Sequence, residues 1–136
     1  MSGDGGPATW PEETIPILRV SDAAVSLAWY ARLGFAEEWT HRFTPTSPAF
    51  VSVRRGPEGA GVRLFLSEHT GDAAPNGLVY IRVADVRPVA AEFGIEVRDE
   101  GGARLDIGLV DPDGNRLRVG SPTGRTEPGY TSPERE

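Results

Sequence analysis

Cysteine and lysine are both missing from this 136-residue chain. Without thiols it has no disulfide, no thiolate metal site and no cysteine nucleophile. All 14 basic side chains are arginine, so no lysine amine is present to form a Schiff base. Long apolar runs are lacking too: nothing approaches the roughly 20 residues of a membrane helix, and the N-terminus has neither the basic nor the apolar region of a secretion signal. The expectation is a cytoplasmic protein with no membrane partner. A formal net charge of −6 disfavours nucleic acid as a partner, favours solubility and would draw in cationic small molecules.

What is present suffices for one domain with a sizeable core, since 38% of the residues are hydrophobic and 25% charged. Residues 1–13, MSGDGGPATWPEE, are Gly, Pro and acid without a period and read as a flexible arm, in which Trp10 alone has the apolar bulk to pack back on a subunit. Residues 123–136 read as a flexible tail of similar composition. The folded domain is expected at 14–122.

Ile15 to Phe35 organises that domain. Ile15 to Val20 alternates as a strand, and Pro16, with no N–H for a ladder, places it at an edge. Asp22 or Ser21 caps a helix by accepting its first free N–H groups. Ala24, Leu27, Ala28 and Ala31 form the apolar side of this helix, with Trp29 and Tyr30 at its edge. Gly34 supplies a left-handed stop and Phe35 returns the chain to the core. Three strands follow, at Phe35 to Phe43, Ala49 to Val53 and Val62 to Ser67. On the first, Trp39, His41 and Phe43 share a face. On the last, Leu64 and Leu66 oppose Arg63, Phe65 and Ser67.

Leu78 to Ile95 repeats the plan, with a strand over Leu78 to Val83, Asp85 as cap, a helix from about Arg87 to Phe93 and Gly94 as stop; Pro88 suits the first turn. Strands at Ile95 to Arg98, Arg104 to Val110 and Asn115 to Gly120 complete it, with DPDGN, Asp111 to Asn115, as a tight turn rather than a calcium loop. Gly101-Gly102 reads as a flexible hairpin. Leu18-Arg19-Val20-x-Asp22 aligns with Ile81-Arg82-Val83-x-Asp85, and Gly61-x-Arg63-Leu64-x-Leu66 with Gly114-x-Arg116-Leu117-x-Val119. The fold class is therefore α+β, built from two βαβββ modules at 14–67 and 78–121.

With this repeat, LRVSD…WYARLGF near the start and DPDGNRL near the end make the chain resemble the vicinal oxygen chelate superfamily. That superfamily includes glyoxalase I, extradiol dioxygenases, fosfomycin resistance proteins and bleomycin resistance proteins. The resemblance runs from roughly Thr14 to Pro122 and implies a cupped mixed sheet whose concave face holds the ligand. Metal enzymes of the superfamily place a His on the first strand and a Glu on the last strand of each module. Those positions fall on Ile15, Leu78, Phe65 and Arg118, none of which can ligate a divalent cation.

Among metal-free members, the bleomycin resistance proteins have a first strand like Ile15-Pro16-Ile17-Leu18 and a fourth like Leu64-Phe65-Leu66-Ser67. The resemblance implies a homodimer that sequesters an antibiotic or related natural product in aromatic-lined grooves shared between subunits. It also implies an N-terminal arm that crosses to the partner, with no cofactor, no metal and no catalytic residue. Those proteins often carry a Pro-Trp-Gly motif before the seventh strand. Glu100 to Arg104, EGGAR, is short and has no aromatic, so a flat or extended natural product other than bleomycin is equally compatible.

The residues expected to touch the ligand are Trp39, His41, Phe43, Phe65, Tyr80, Arg82 and Arg118, whose rings and guanidinium groups offer stacking surface. Each has a plainer role open to it, in the core, in an ion pair or in dimer packing. Two other functions stay open. One is a metal-dependent lyase, dioxygenase or transferase using displaced ligands such as His41, His69 and Glu68. The other is a metal-free isomerase in which Arg or His polarises a carbonyl.

Overall fold

A computed structural model describes residues 12–57 and 60–123, apart from the side chain of Glu100. The arm expected at 1–13, Trp10 included, and the tail expected at 123–136 lie outside the described residues except for Glu12, Glu13 and Thr123.

In chain order the elements are β1 (Ile17–Arg19), α1 (Ala23–Arg32), β2 (Ala36–His41), β3 (Phe50–Arg55), β4 (Val62–Ser67), β5 (Leu78–Arg82), α2 (Arg87–Phe93), β6 (Arg98–Gly101), β7 (Arg104–Val110) and β8 (Arg116–Pro122). They form two four-stranded mixed sheets, ordered β1-β4-β3-β2 and β5-β8-β7-β6. In each, the first and last strands of the half pair in parallel and the remaining ladders are antiparallel. The α+β plan of two βαβββ units is the one expected.

Register decides which side chains meet the core. Ile17 faces Phe65 and Ser52 faces Phe65, so the alternate residues Leu18, Val51, Val53, Leu64 and Leu66 are buried. In the second sheet Tyr80 faces Arg118 and Gly108 faces Arg118, which buries Ile81, Ile107, Leu109, Leu117 and Val119. Each sheet thus has a core face and an open face. β1 begins two residues later than the pattern suggested because the Pro16 carbonyl makes the first ladder bond, accepting from Phe65 N at 2.9 Å, while Pro16 itself has nothing to donate.

Helix α1 starts as expected, with Asp22 Oδ1 accepting from Ala24 N at 3.0 Å and Val25 N at 3.4 Å. Its buried side differs from the expectation. Ala23, Ser26 and Tyr30 are buried, followed by Leu33, whereas Ala24, Ala28 and Ala31 are exposed. Burying the Tyr30 ring removes far more apolar surface from water than burying alanines would. That burial is tolerable because the phenol finds a partner, donating to Asp111 Oδ2 at 2.7 Å.

Helix α2 coincides with the expected span and Gly94 closes it at φ 64°, but its N-cap is Val86 rather than Asp85, whose Oδ1 accepts from Arg87 N at 3.1 Å just before the helix. The next strand is displaced. Ile95 N donates to Ala90 O at 2.9 Å, which commits it to the helix end, and pairing begins only at Arg98.

The turn at Asp111 to Asn115 is more than a connection. Its Asp111 carboxylate also accepts from Asp113 N at 2.8 Å, Asn115 N at 2.9 Å and Asn115 Nδ2 at 2.9 Å. Asn115 Nδ2 donates to Arg19 O at 2.9 Å and Asn115 Oδ1 accepts from Gly77 N at 2.8 Å. One buried polar cluster therefore ties β1 and α1 to the far end of the chain. Trp29 against Phe93 at 5.3 Å and Arg32 against Glu92 at 3.1 Å join the two helices.

Candidate functional site

The open face of the first sheet carries an aromatic patch. Trp39 lies nearly parallel to Phe50, with centroids 6.2 Å apart and planes at 14°, and Phe65 stands 5.6 Å from Trp39 and 5.1 Å from Phe50. Trp39 stays 41% exposed. A register shift between Glu37 and Trp39 puts Glu38 in a bulge beside this patch. Its carboxylate accepts from Ser52 Oγ at 2.7 Å and from Arg63 Nη2 at 3.4 Å, is hydrogen-bonded by Arg54, and lies 2.8 Å from Arg63 Nε. Burial by itself would raise the Glu38 pKa, but the Ser52 hydroxyl and the Arg63 and Arg54 charges outweigh it and hold it below its ordinary value.

His41 and Phe43 meet edge to face at 4.8 Å, and Phe43 approaches His69 at 6.1 Å. Phe43 follows the end of β2 and is 77% exposed, and His41 stands opposite Phe50 in register, so this trio continues the patch as its rim.

On the second sheet the open face is built around Asp106, 1% exposed. Its carboxylate accepts from Tyr80 OH at 3.0 Å and from Arg118 Nη2 at 3.1 Å, with Arg104 Nη2 at 3.4 Å. Gly120 makes room for this, since a methyl group there would collide with the Asp106 carboxylate and the Tyr80 hydroxyl and lie 2.9 Å from the Leu105 carbonyl. Burial, then the hydrogen bond and charge of Asp106, raise the Tyr80 pKa, with Arg104 and Arg82 opposing. Between the halves lies a cleft of 230 Å³, with Pro16, Arg63 and Leu64 on one side and Val79, Tyr80 and Ile81 on the other.

The seven residues expected at the site thus fall into three groups: Trp39 with Phe65, His41 with Phe43, and Tyr80 with Arg82 and Arg118. Among the described residues no ring contact or hydrogen bond joins the first group to the third. Sequence reasoning missed Phe50, although the alternation of Phe50, Ser52 and Arg54 against Val51 and Val53 carried the signal. It also missed Asp106, whose burial only the register reveals.

The four positions implied for metal ligands do not fit a metal. Ile15, Leu78 and Phe65 offer no lone pair, Arg118 carries positive charge and is tied to Asp106, and among the described residues no three His, Asp or Glu side chains converge as a site. Glu68, the displaced ligand considered above, is committed to the backbone, accepting from Ala23 N at 2.7 Å and Ala49 N at 2.9 Å.

No curated protein matches the sequence. Solved structures do. A bleomycin-binding protein complexed with bleomycin is 20% identical with a TM-score of 0.62, covering 82% of this chain and 98% of that one. TnmS3, an antibiotic binding protein from Streptomyces sp. CB03234, is 21% identical with a TM-score of 0.58, covering 84% and 99%. The trypanothione-dependent glyoxalase I of Leishmania major is 22% identical with a TM-score of 0.55, covering 80% and 86%. At these identities the likeness is one of fold, and it spans binding proteins and an enzyme alike. The family described as Glyoxalase superfamily protein matches residues 8–123, which takes in both sheets and both helices, and the chain belongs to the glyoxalase superfamily.

Proposed function

We propose that this protein is a metal-free homodimer that sequesters a ring-bearing natural product, such as an antibiotic, without altering it. The observation that carries the reading is the Trp39, Phe50 and Phe65 patch, which presents stacking surface to solvent on the face opposite the core. Trp39, Leu78, Tyr80 and Val110 are all exposed large side chains on open sheet faces, and Phe43 continues them past β2. Exposed apolar side chains on both open sheet faces fit a ligand groove or a subunit contact better than they fit bare solvent. In this reading Trp39 and Phe65 stack on the ligand, His41 and Phe43 close the rim, and Tyr80, Arg82 and Arg118 meet it from the second sheet of the partner subunit. The folded domain is 14–122, and the N-terminal arm crosses between subunits.

The test is a thermal-shift screen of planar and glycopeptide antibiotics, followed by mass analysis of the recovered compound. A ligand should raise the melting temperature by mass action and be recovered unchanged. Turnover of the compound would refute sequestration. Light scattering should give twice the chain mass, and a monomer at micromolar concentration would remove the shared groove.

A further inference from the structure

Four arginines, Arg82, Arg104, Arg116 and Arg118, rise from the open face of the second sheet, as its register requires. Among the described residues one carboxylate shares that face, and it is the buried Asp106, already bonded to Tyr80 and Arg118. Arg82 and Arg116 have no carboxylate partner among the described residues. Arg104 and Arg118 remain 50% and 47% exposed despite their contact with Asp106. A chain of net charge −6 thus concentrates positive charge on one sheet face, which reverses what the total charge implies about the ligand. Arg116 and Arg118 stand two residues apart on one face of β8, with Arg82 diagonal to Arg118 across the β5–β8 ladder, so their like charges repel and an anion among them is favoured.

Gly108 is an independent observation on the same face. It lies in the interior of β7 opposite Arg118, its φ is not left-handed, and a side-chain carbon there would meet nothing within 4 Å. Neither the backbone nor the packing calls for glycine. A strand glycine of this kind leaves an open floor on which a ligand can approach the backbone.

We propose that the ligand carries an oxyanion, a carboxylate, sulfate or phosphate group, which sits over Gly108 and is gripped by Arg118, Arg116 and Arg82. Guanidinium forks match such groups in shape and charge. Asp106 acts as a positioning residue that fixes the Arg118 fork. The inference rests on the ligand-binding reading above and adds the charge class of the ligand.

Pyrene-1-sulfonate and pyrene-1-methanol share one flat ring system and differ in charge, and their binding is read by fluorescence anisotropy at low ionic strength. The sulfonate should bind about tenfold or more tightly than the alcohol, with inorganic sulfate, phosphate and acetate as competitors that rank the preferred oxyanion. Arg82→Gln and Arg116→Gln should remove that advantage, and Gly108→Leu should block the sulfonate while leaving the fold intact. Arg32→Gln, which deletes the same charge from the outer surface of α1, should change nothing. Equal binding of the two probes, or an advantage indifferent to the arginines, overturns the anion inference. If the sulfonate depends on arginine but not on Trp39, the inference stands and the stacking reading falls. If both probes depend on Trp39 without a sulfonate advantage, the reverse holds, and if neither binds, both fall. Displacement of the sulfonate by a tightly bound single-stranded oligonucleotide would make the face a nucleic-acid surface and would also overturn it.

Discussion

Replacing Tyr30 by Phe tests the cross-brace between the two halves. The ring is fully buried, edge to face with Trp29 at 4.8 Å and with Phe35 at 6.0 Å. Phenylalanine keeps those contacts, so the only loss is the hydroxyl that reaches Asp111 at 2.7 Å. A hydrogen bond to a buried carboxylate contributes about 1.5–3 kcal/mol. Three other donors remain on Asp111, so the change should cost about 2 kcal/mol and lower the melting temperature by about 6–8 °C. Asp111→Ala removes the acceptor for Tyr30 OH, Asp113 N, Asn115 N and Asn115 Nδ2 together and should cost about 4 kcal/mol or more. Urea unfolding at neutral pH measures both, with an unchanged m-value as evidence that the folded and unfolded states keep their exposure. A Tyr30→Phe variant within about 0.5 kcal/mol of the parent would refute the assignment.

The same pair of proteins carries a pH signature. Burial, followed by the Asp111 hydrogen bond and the charges of Asp111 and Asp113, pushes the Tyr30 phenol far above its ordinary 10.0. The native state then holds its proton more tightly than the unfolded chain does. This contribution is complete below pH 10 and is lost as the pH rises beyond it. Tyr80 shifts in the same direction, so Tyr30→Phe should flatten the alkaline decline in stability without abolishing it.

Three further outcomes follow from the geometry. Glu38 has a lowered pKa, so its contribution is present above its ordinary 4.5 and fades as the pH falls through the lowered value; Glu38→Gln should show a shallower acid decline in urea midpoint than the parent. Gly120→Ala drives a methyl group into Asp106 and Tyr80, and should destabilise the protein by about 1–3 kcal/mol in the same titration. Trp39→Ala removes a half-exposed ring, so it should cost stability little more than about 1 kcal/mol of ring contact while weakening any stacked ligand by about 2 kcal/mol, read by calorimetry.

Much of the fold was legible because its signals are local. Asp22 and Asp85 supply acceptors at helix starts, Gly34 and Gly94 adopt the left-handed stop, and β4, α2 and β7 occupy the spans their periodicity marks. Of the misplaced elements, one is set by a distant partner and the other by the helix end just before it. α1 turns Tyr30 inward because Asp111, 81 residues away in sequence, completes its hydrogen bond. Ile95 to Val97 reads as a strand by composition, yet Ile95 is held by the end of α2. At the site, alternation put Trp39, Phe65, Tyr80, Arg82 and Arg118 on open faces correctly, and it left out Phe50, whose role depends on lying across from its neighbours.

The order of the residues alone determined that two similar halves would form, each a strand, a helix and three strands, with apolar residues on one face of every strand. It also determined that no cysteine thiol or lysine amine is available. Tertiary structure decided how charge is shared out. Net charge is a sum over the chain, whereas a ligand meets a local field, and only strand register brings Arg82, Arg116 and Arg118 to one face while burying Asp106 beneath them.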